Sequence, residues 1–170
     1  MQEPVCYENY PVSIVIASNL LSLLMYVIGV YLVYQLWQVL VIPYLLFILL
    51  LEYRLLSKHC VDCYYYGKTC AFGKGKLSGK IFPKGSPERF CSMKVTWKDI
   101  LPDFLVFLIP VIAGIVILPG TFSVVILALV IILLVLGFAG NALVRGRLAC
   151  RYCKQKETGC PALAMFEKKA

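Results

Sequence analysis

The sequence has little of the chemistry on which most enzymes depend. It contains a single histidine, His59, and only nine acidic residues, which are scattered along the 170 positions. No Ser/His/Asp set, nucleophile elbow or Gly-x4-Gly-Lys-[Ser/Thr] phosphate loop occurs. The sequence therefore offers no catalytic residues, and the balance favours a protein that is not an enzyme.

Charge is missing altogether from two long segments, residues 11–51 and 104–144. The chain is 61% apolar, with a mean hydropathy of +0.82. Each segment is about 40 residues long and one bilayer crossing takes about 20, so each is predicted to form a helical hairpin. The predicted fold is an all-α integral membrane protein with four transmembrane helices. The turns are expected near Gln35–Gln38 and at Leu118–Gly120.

The lack of charge within the spans also bears on function. Proton-coupled transporters and ion channels usually carry ionisable side chains in mid-membrane, and none is found here. Glu52, Arg54 and Asp103 lie at the ends of the predicted spans, where they can pair or reach the head groups. Asn141 and the serines of the first span are interpreted as packing contacts between helices.

Basic residues lie on one side of the predicted spans. The 17 Lys and Arg residues comprise Arg54, those between Lys58 and Lys98, and those from Arg145 onward, and neither predicted turn contains one. With four spans, the two termini and the central segment share a side, and the positive-inside rule makes that side the cytoplasm. We therefore expect a multi-pass protein of the cell membrane with cytoplasmic N- and C-termini.

The eight cysteines follow a repeated pattern, all of it on the predicted cytoplasmic side. One cysteine precedes each hairpin, and a Cys-x2-Cys-x6-Cys triplet follows each hairpin. We call Cys60, Cys63 and Cys70 the first triplet and Cys150, Cys153 and Cys160 the second triplet; the upstream cysteines are Cys6 and Cys91. The pattern predicts two hairpin repeats of parallel topology, related by an axis along the membrane normal.

These repeats divide the chain into three parts. Repeat 1 covers residues 1–75, with its hairpin at about 12–57. A basic connector covers residues 76–90. Repeat 2 covers residues 91–170, with its hairpin at about 101–146.

Metal binding is the favoured interpretation of the cysteines. Thiolates at two-residue spacing can hold one ion from a single turn, and further thiolates complete the tetrahedron preferred by zinc. Disulfides are uncommon in the cytoplasm. A thiol-disulfide redox protein is the third alternative, but a redox pair does not require a third cysteine in each triplet. We expect a small cytoplasmic cysteine-rich head that binds metal through all eight cysteines.

The second triplet resembles half of a fungal binuclear zinc cluster, in which two Cys-x2-Cys-x6-Cys halves hold two zinc ions through six cysteines. Lys154 and Lys156 lie where that family has basic residues. This chain departs from the family because 79 residues, including a hairpin, separate its halves and because its first triplet contains Tyr64–Tyr66. The resemblance implies a shared way of holding zinc; DNA recognition is not carried over, and no nucleic-acid partner is expected.

Two ligand arrangements remain open. In the favoured arrangement, Cys6 and Cys91 complete two separate four-cysteine sites, so that every cysteine is used. This arrangement also has a domain-exchanged form, in which Cys91 joins the first triplet. Alternatively, the six triplet cysteines share two metals.

The expected cofactor is zinc, about two ions per chain, with an iron-sulfur cluster as the alternative. Pro161 after Cys160 favours a cluster, whereas the absence of a Cys-x2-Cys-x2-Cys run favours zinc. His59, which has no counterpart in the second repeat, is interpreted as a solvated or interfacial side chain.

The remaining expectation concerns partners. The segment after Cys70 is rich in Gly, Lys and Pro and is interpreted as a flexible basic connector against anionic lipid head groups or as a dock for an acidic soluble protein. The favoured function is a zinc-stapled membrane scaffold or adaptor. An iron-sulfur electron-transfer subunit is the alternative, and the sequence leaves self-association open.

Overall fold

The structure, a computed structural model, describes residues 6–93, 96–120 and 122–161. Within these residues the fold is helical and contains no strand, as predicted. Four helices are long and apolar enough to cross a membrane, which fits a multi-pass membrane protein; they span Val12–Leu36, Gln38–Cys60, Lys98–Ile117 and Val124–Tyr152. The helices are α1 (Val12–Leu36), α2 (Val41–Leu55), α3 (Lys74–Ile81), α4 (Pro87–Ser92), α5 (Trp97–Ile117), α6 (Val124–Val135) and α7 (Gln155–Thr158).

Both hairpins turn where the sequence predicted. Helix α1 ends at Leu36, Trp37 is extended, and a short 3-10 turn over Gln38–Leu40 leads into α2. Helix α5 gives way to a turn at Leu118–Gly120 before α6. The second hairpin begins a few residues before its predicted start, because Thr96 and Asp99 form a capping box at the start of α5.

Helices α1 and α5 form the centre of the bundle. One apolar cluster joins α1 and α5 to α6 and is built of Leu32, Phe107, Val111, Ile126, Val130 and Leu133. A second cluster joins the same two helices to α2 and is built of Val33, Tyr44, Ile48, Val106 and Ala113. The second helix of each hairpin therefore packs on the outside of a pair formed by the first helices.

The second helix of each hairpin widens into π-helical turns as it approaches its triplet. Helix α2 continues as π-helix over Leu56–Cys60, and α6 continues through Leu136–Gly140 and Ala142–Ala149. Such turns are rare within helices and occur frequently at functional sites. Each triplet therefore begins at the end of a π-helical stretch.

The central segment is folded, in contrast to the flexible connector that its composition suggested. Helix α3 lies against the end of the second span, where the buried Ser78 hydroxyl donates to the Leu56 carbonyl over 3.2 Å. The Gly85 amide donates to the Val61 carbonyl over 3.0 Å. The Asp62 carboxylate accepts from the Ser86 amide over 2.9 Å and from Arg89 Nε over 2.8 Å. These distant acceptors hold a glycine- and proline-rich segment that has no core of its own.

Candidate metal-thiolate site

The two triplets dock against each other at one end of the bundle. Tyr65, which is buried, accepts a hydrogen bond from the Lys154 amide over 2.9 Å. The Tyr64 amide donates to Oε1 of the buried Gln155 over 2.6 Å. These bonds join residues about ninety positions apart, so the two Cys-x2-Cys turns form one unit. We call this unit, residues 6–10, 61–93 and 150–161, the head.

The N-terminal segment bridges the two halves of the head. The Tyr7 amide donates to the Tyr152 carbonyl over 3.0 Å, and the Tyr65 hydroxyl donates to the Tyr7 carbonyl over 2.6 Å. Tyr10 is buried, and its hydroxyl donates to the Ala149 carbonyl over 2.5 Å. Both ends of the described chain therefore meet the central segment on one side of the bundle, as an even number of spans requires.

Glu8 adds an electrostatic contact to this bridge. Its carboxylate accepts hydrogen bonds from Lys154, Tyr64 and Lys68, and together they lower its pKa to about 2. Because about half of the Glu8 side chain is exposed, solvent screens these pairs and limits their effect on stability. The bonds fix where the N-terminal segment lies.

A cavity of about 280 Å³ opens between the triplets, where the second and fourth spans end. Five thiols line it: Cys60, Cys63, Cys70, Cys150 and Cys153. Its walls are otherwise mostly apolar and aromatic, and Lys74 and Arg145 also lie at its surface. His59 lines the same cavity and is half-buried at the end of the second span. The cavity therefore brings together thiols, a mostly apolar wall and two positively charged side chains.

The buried triplet thiols outside the spans are poor acids. Burial raises the pKa of Cys63, and the nearby Cys70 and Cys160 thiols raise it further. Burial also raises the pKa of Cys153, to about 11, with further increases from Cys63, Cys150 and Cys160. A thiol-disulfide enzyme needs the opposite shift, because the thiolate is the nucleophile. The Cys160 thiol raises the pKa of Cys63 as well as that of Cys153, so thiols of the two triplets influence each other.

Each upstream cysteine contacts residues of α7, and neither lines the cavity. Cys91 Sγ donates to the Thr158 carbonyl over 3.0 Å, which brings it beside the second triplet, where separate four-cysteine sites would need it. Cys6 contacts Lys156 and Glu157, and its pKa is raised by desolvation and by Glu157. Cys6 therefore lies beside the second triplet, and it also raises the pKa of Tyr65, which lies within the first triplet.

All eight cysteines are free thiols. Across residues 6–93, 96–120 and 122–161, no three His, Cys, Asp or Glu side chains already stand in an arrangement that could hold a metal ion. The chemistry of the cavity nevertheless suits a soft metal, since thiolates select zinc and iron-sulfur clusters. Metal binding would require the lining thiols to turn towards a common point.

Sequence reasoning missed the residues that assemble the head. Asp62, Tyr65 and Gln155 are buried and bond to segments far away in the sequence. The position of Asp62 in the sequence could have indicated its role. It lies between two cysteines of a Cys-x2-Cys turn, where its carboxylate is available to accept hydrogen bonds from a glycine-rich segment. Tyr65 and Gln155 carry no comparable signal, since their partners are main-chain groups.

The fold and the composition define a class: an all-helical, cysteine-rich, multi-pass membrane protein. Comparisons with protein-family models, with curated proteins and with solved structures give no match.

Proposed function

We propose that the protein is a membrane scaffold whose head is stapled by a thiolate-bound metal, with zinc as the first candidate. The observation that carries the proposal is the cavity lined by five thiols from both triplets. Tetrahedral zinc sites are built of such thiolates, and structural sites of this kind contribute directly to folding energy. A site between the triplets would lock the ends of the second and fourth spans together.

The favoured arrangement is the shared one, in which the six triplet cysteines hold two metals. Cys63 lies within electrostatic reach of Cys153 and Cys160 of the other triplet. Cys6 and Cys91 instead contact α7. Thiolates bring negative charge to the site, and the bound zinc ions would offset part of it.

The packing of the spans fits the proposed repeat. In a pair of hairpins related by an axis along the membrane normal, the first helices meet at the axis and the second helices flank them. Helices α1 and α5 have the central position here. The Tyr66 amide donates to the Cys63 carbonyl, and the Lys156 amide donates to the Cys153 carbonyl, so the two triplets share one hydrogen bond of their turns. A two-fold relation would place equivalent thiols on either side of a common axis.

The scaffold would act through its basic, water-facing surface. Exposed cations lie on the head and at the ends of the spans, among them Lys76, Lys80 and Lys84 of the connector. Such a surface attracts anionic lipid head groups or an acidic soluble partner. Stapling the head would keep these cations in a fixed arrangement.

Elemental analysis tests the proposal. Protein purified without oxygen should be colourless and contain about two zinc ions per chain. Purified protein without stoichiometric metal would overturn it.

An iron-sulfur electron-transfer subunit is the second candidate. It is favoured by the position of the cavity, where the spans end, since a cluster there would lie within reach of a lipid-soluble carrier. This candidate requires a brown sample with visible absorption and with iron and acid-labile sulfide in equal amounts. The same purified sample therefore separates the two candidates.

A further inference from the structure

A second cavity, of about 270 Å³, lies between the spans beside the head. We call it the interhelical cavity. All four spans contribute polar or charged side chains to it, namely Ser22 and Tyr26 from α1, Glu52 from α2, Asp103 from α5, and Asn141 and Arg145 from the fourth span. Phe104, Phe107 and Phe138, whose rings pack edge to face, form an apolar wall. The cavity thus combines both signs of charge with an aromatic side.

One of its carboxylates is already neutralised within the protein. Glu52 accepts from Lys74 Nζ over 2.5 Å and from the Tyr26 hydroxyl over 2.8 Å. This pair leaves little net charge for a ligand to meet. Recognition in the cavity must therefore depend on the other two charged groups.

Asp103 and Arg145 have no such partner. Within the described residues, the Asp103 carboxylate makes no hydrogen bond or ion pair, although Arg145 is its strongest charged neighbour. The Arg145 guanidinium lies 5.3 Å from the centre of the Phe72 ring. Both side chains are exposed, and they face the same cavity without joining.

Unpaired charges are costly near the ends of the spans. Asp103 is the sixth residue of the third candidate span, and Arg145 lies five residues before the second triplet. At the boundary between head groups and hydrocarbon, an ionised side chain needs a partner, and such residues are commonly functional. A ligand that carries both a cation and an anion would satisfy Asp103 and Arg145 together.

We propose that the interhelical cavity binds the head group of an aminophospholipid in the leaflet next to the head. The primary ammonium donates to Asp103, and the phosphate accepts hydrogen bonds from the Arg145 guanidinium, whose planar donors suit phosphate oxygens. A lone anion would leave Asp103 unpaired, and a lone cation would leave Arg145 unpaired. The acyl chains would continue over the exposed apolar surface at Leu101, Phe104 and Phe138. This inference is independent of any metal in the head.

Native mass spectrometry of the full chain tests the proposal. Detergent-purified protein is incubated with equal amounts of phosphatidylethanolamine, phosphatidylcholine and phosphatidylglycerol. We expect phosphatidylethanolamine to be retained preferentially, because the choline ammonium has no N–H donor and glycerol has no positive charge. Asp103→Asn should lower this retention about tenfold, as expected for the loss of one charge-assisted contact.

Arg147→Gln is the matched control, because Arg147 is exposed two residues beyond Arg145 and does not line the cavity; its retention should equal that of the wild type. Equal retention of the three lipids by the wild-type protein would overturn the proposal, and this comparison requires no variant to fold. Unchanged retention by a folded Asp103→Asn protein would also overturn it. Binding of soluble O-phosphoethanolamine without retention of the lipid would assign the same chemistry to a soluble ligand and overturn the lipid assignment.

Discussion

Asp62 anchors the end of the central segment through two hydrogen bonds. Its side chain is fully buried, whereas that of its partner Arg89 is 65% exposed. The carboxylate also accepts from the Ser86 amide, so one acceptor fixes the approach to α4. A buried acceptor with two donors from one segment acts as an anchor, because each donor would otherwise lose its hydrogen bond on burial.

Asp62→Ala should therefore release the connector. We expect a loss of about 1–3 kcal/mol in the stability of the head, since the Ser86 amide is left without its acceptor. Chymotryptic cleavage after Phe90 should become faster. Arg89→Lys serves as the control and should have a much smaller effect, because it keeps a positive charge beside the buried carboxylate. Equal cleavage rates for Asp62→Ala and wild type would contradict the prediction.

The cysteines allow a second comparison at the scale of single residues. If the six triplet cysteines share the metals, Cys63→Ser and Cys153→Ser should weaken metal binding by comparable factors, because the proposed repeat would make them equivalent. Each factor should reach at least the roughly 10- to 100-fold cost of losing an outer-shell partner. Cys6→Ser and Cys91→Ser should retain the wild-type metal content, measured by elemental analysis. A loss in Cys6→Ser as large as that in Cys63→Ser would instead indicate two separate four-cysteine sites.

At the scale of elements, the spans could be predicted and the head could not. Charge-free runs of about 40 residues specify two hairpins in lipid, because each crossing needs about 20 apolar residues. The head depends on bonds such as Tyr64 to Gln155, for which neither residue has a periodic or spacing signal. The connector was predicted to be flexible for the same reason, because the residues that order it, Asp62 and Leu56, lie outside it. Long-range hydrogen bonds of this kind leave no local pattern in a sequence.

The packing of the spans depends on small residues at close approaches. A side-chain carbon at Gly29 of α1 would meet the Tyr44 hydroxyl of α2 and lie 3.3 Å from Pro110 of α5. The Tyr44 hydroxyl cannot move freely, because it donates to the Val106 carbonyl over 2.6 Å. Gly29 therefore allows three helices to meet, as small residues do in membrane bundles.

Gly29→Ala should destabilise the bundle by about 1–3 kcal/mol, the usual cost of overpacking. Thermal unfolding in detergent, followed by circular dichroism, would measure the change. Gly146→Ala is the matched control, because a side-chain carbon at Gly146 meets no atom within 4 Å; its stability should be unchanged or slightly higher, as alanine favours helix. Equal melting temperatures for the two variants would contradict the close approach at Gly29.

At the scale of the whole molecule, the even number of spans and the distribution of basic residues indicate the same topology. The N-terminal segment, the connector and the second triplet are joined by hydrogen bonds at one end of the bundle. The arginines and lysines occur at that end of the spans and in the segments beyond it, and none occurs in the two turns at the other end. The positive-inside rule then predicts that the head is cytoplasmic.

Labelling with a membrane-impermeant maleimide tests this topology. Cys91 is exposed on the head, and Gln38 is exposed in the turn between α1 and α2 at the opposite end. In a Gln38→Cys protein, inside-out vesicles should label Cys91, whereas intact cells should label only the substituted position 38, as read by peptide mass spectrometry. Labelling of both positions from the same side would contradict a two-hairpin topology. The reverse pattern would retain the hairpins but place the head outside, and the argument from basic residues would then be wrong.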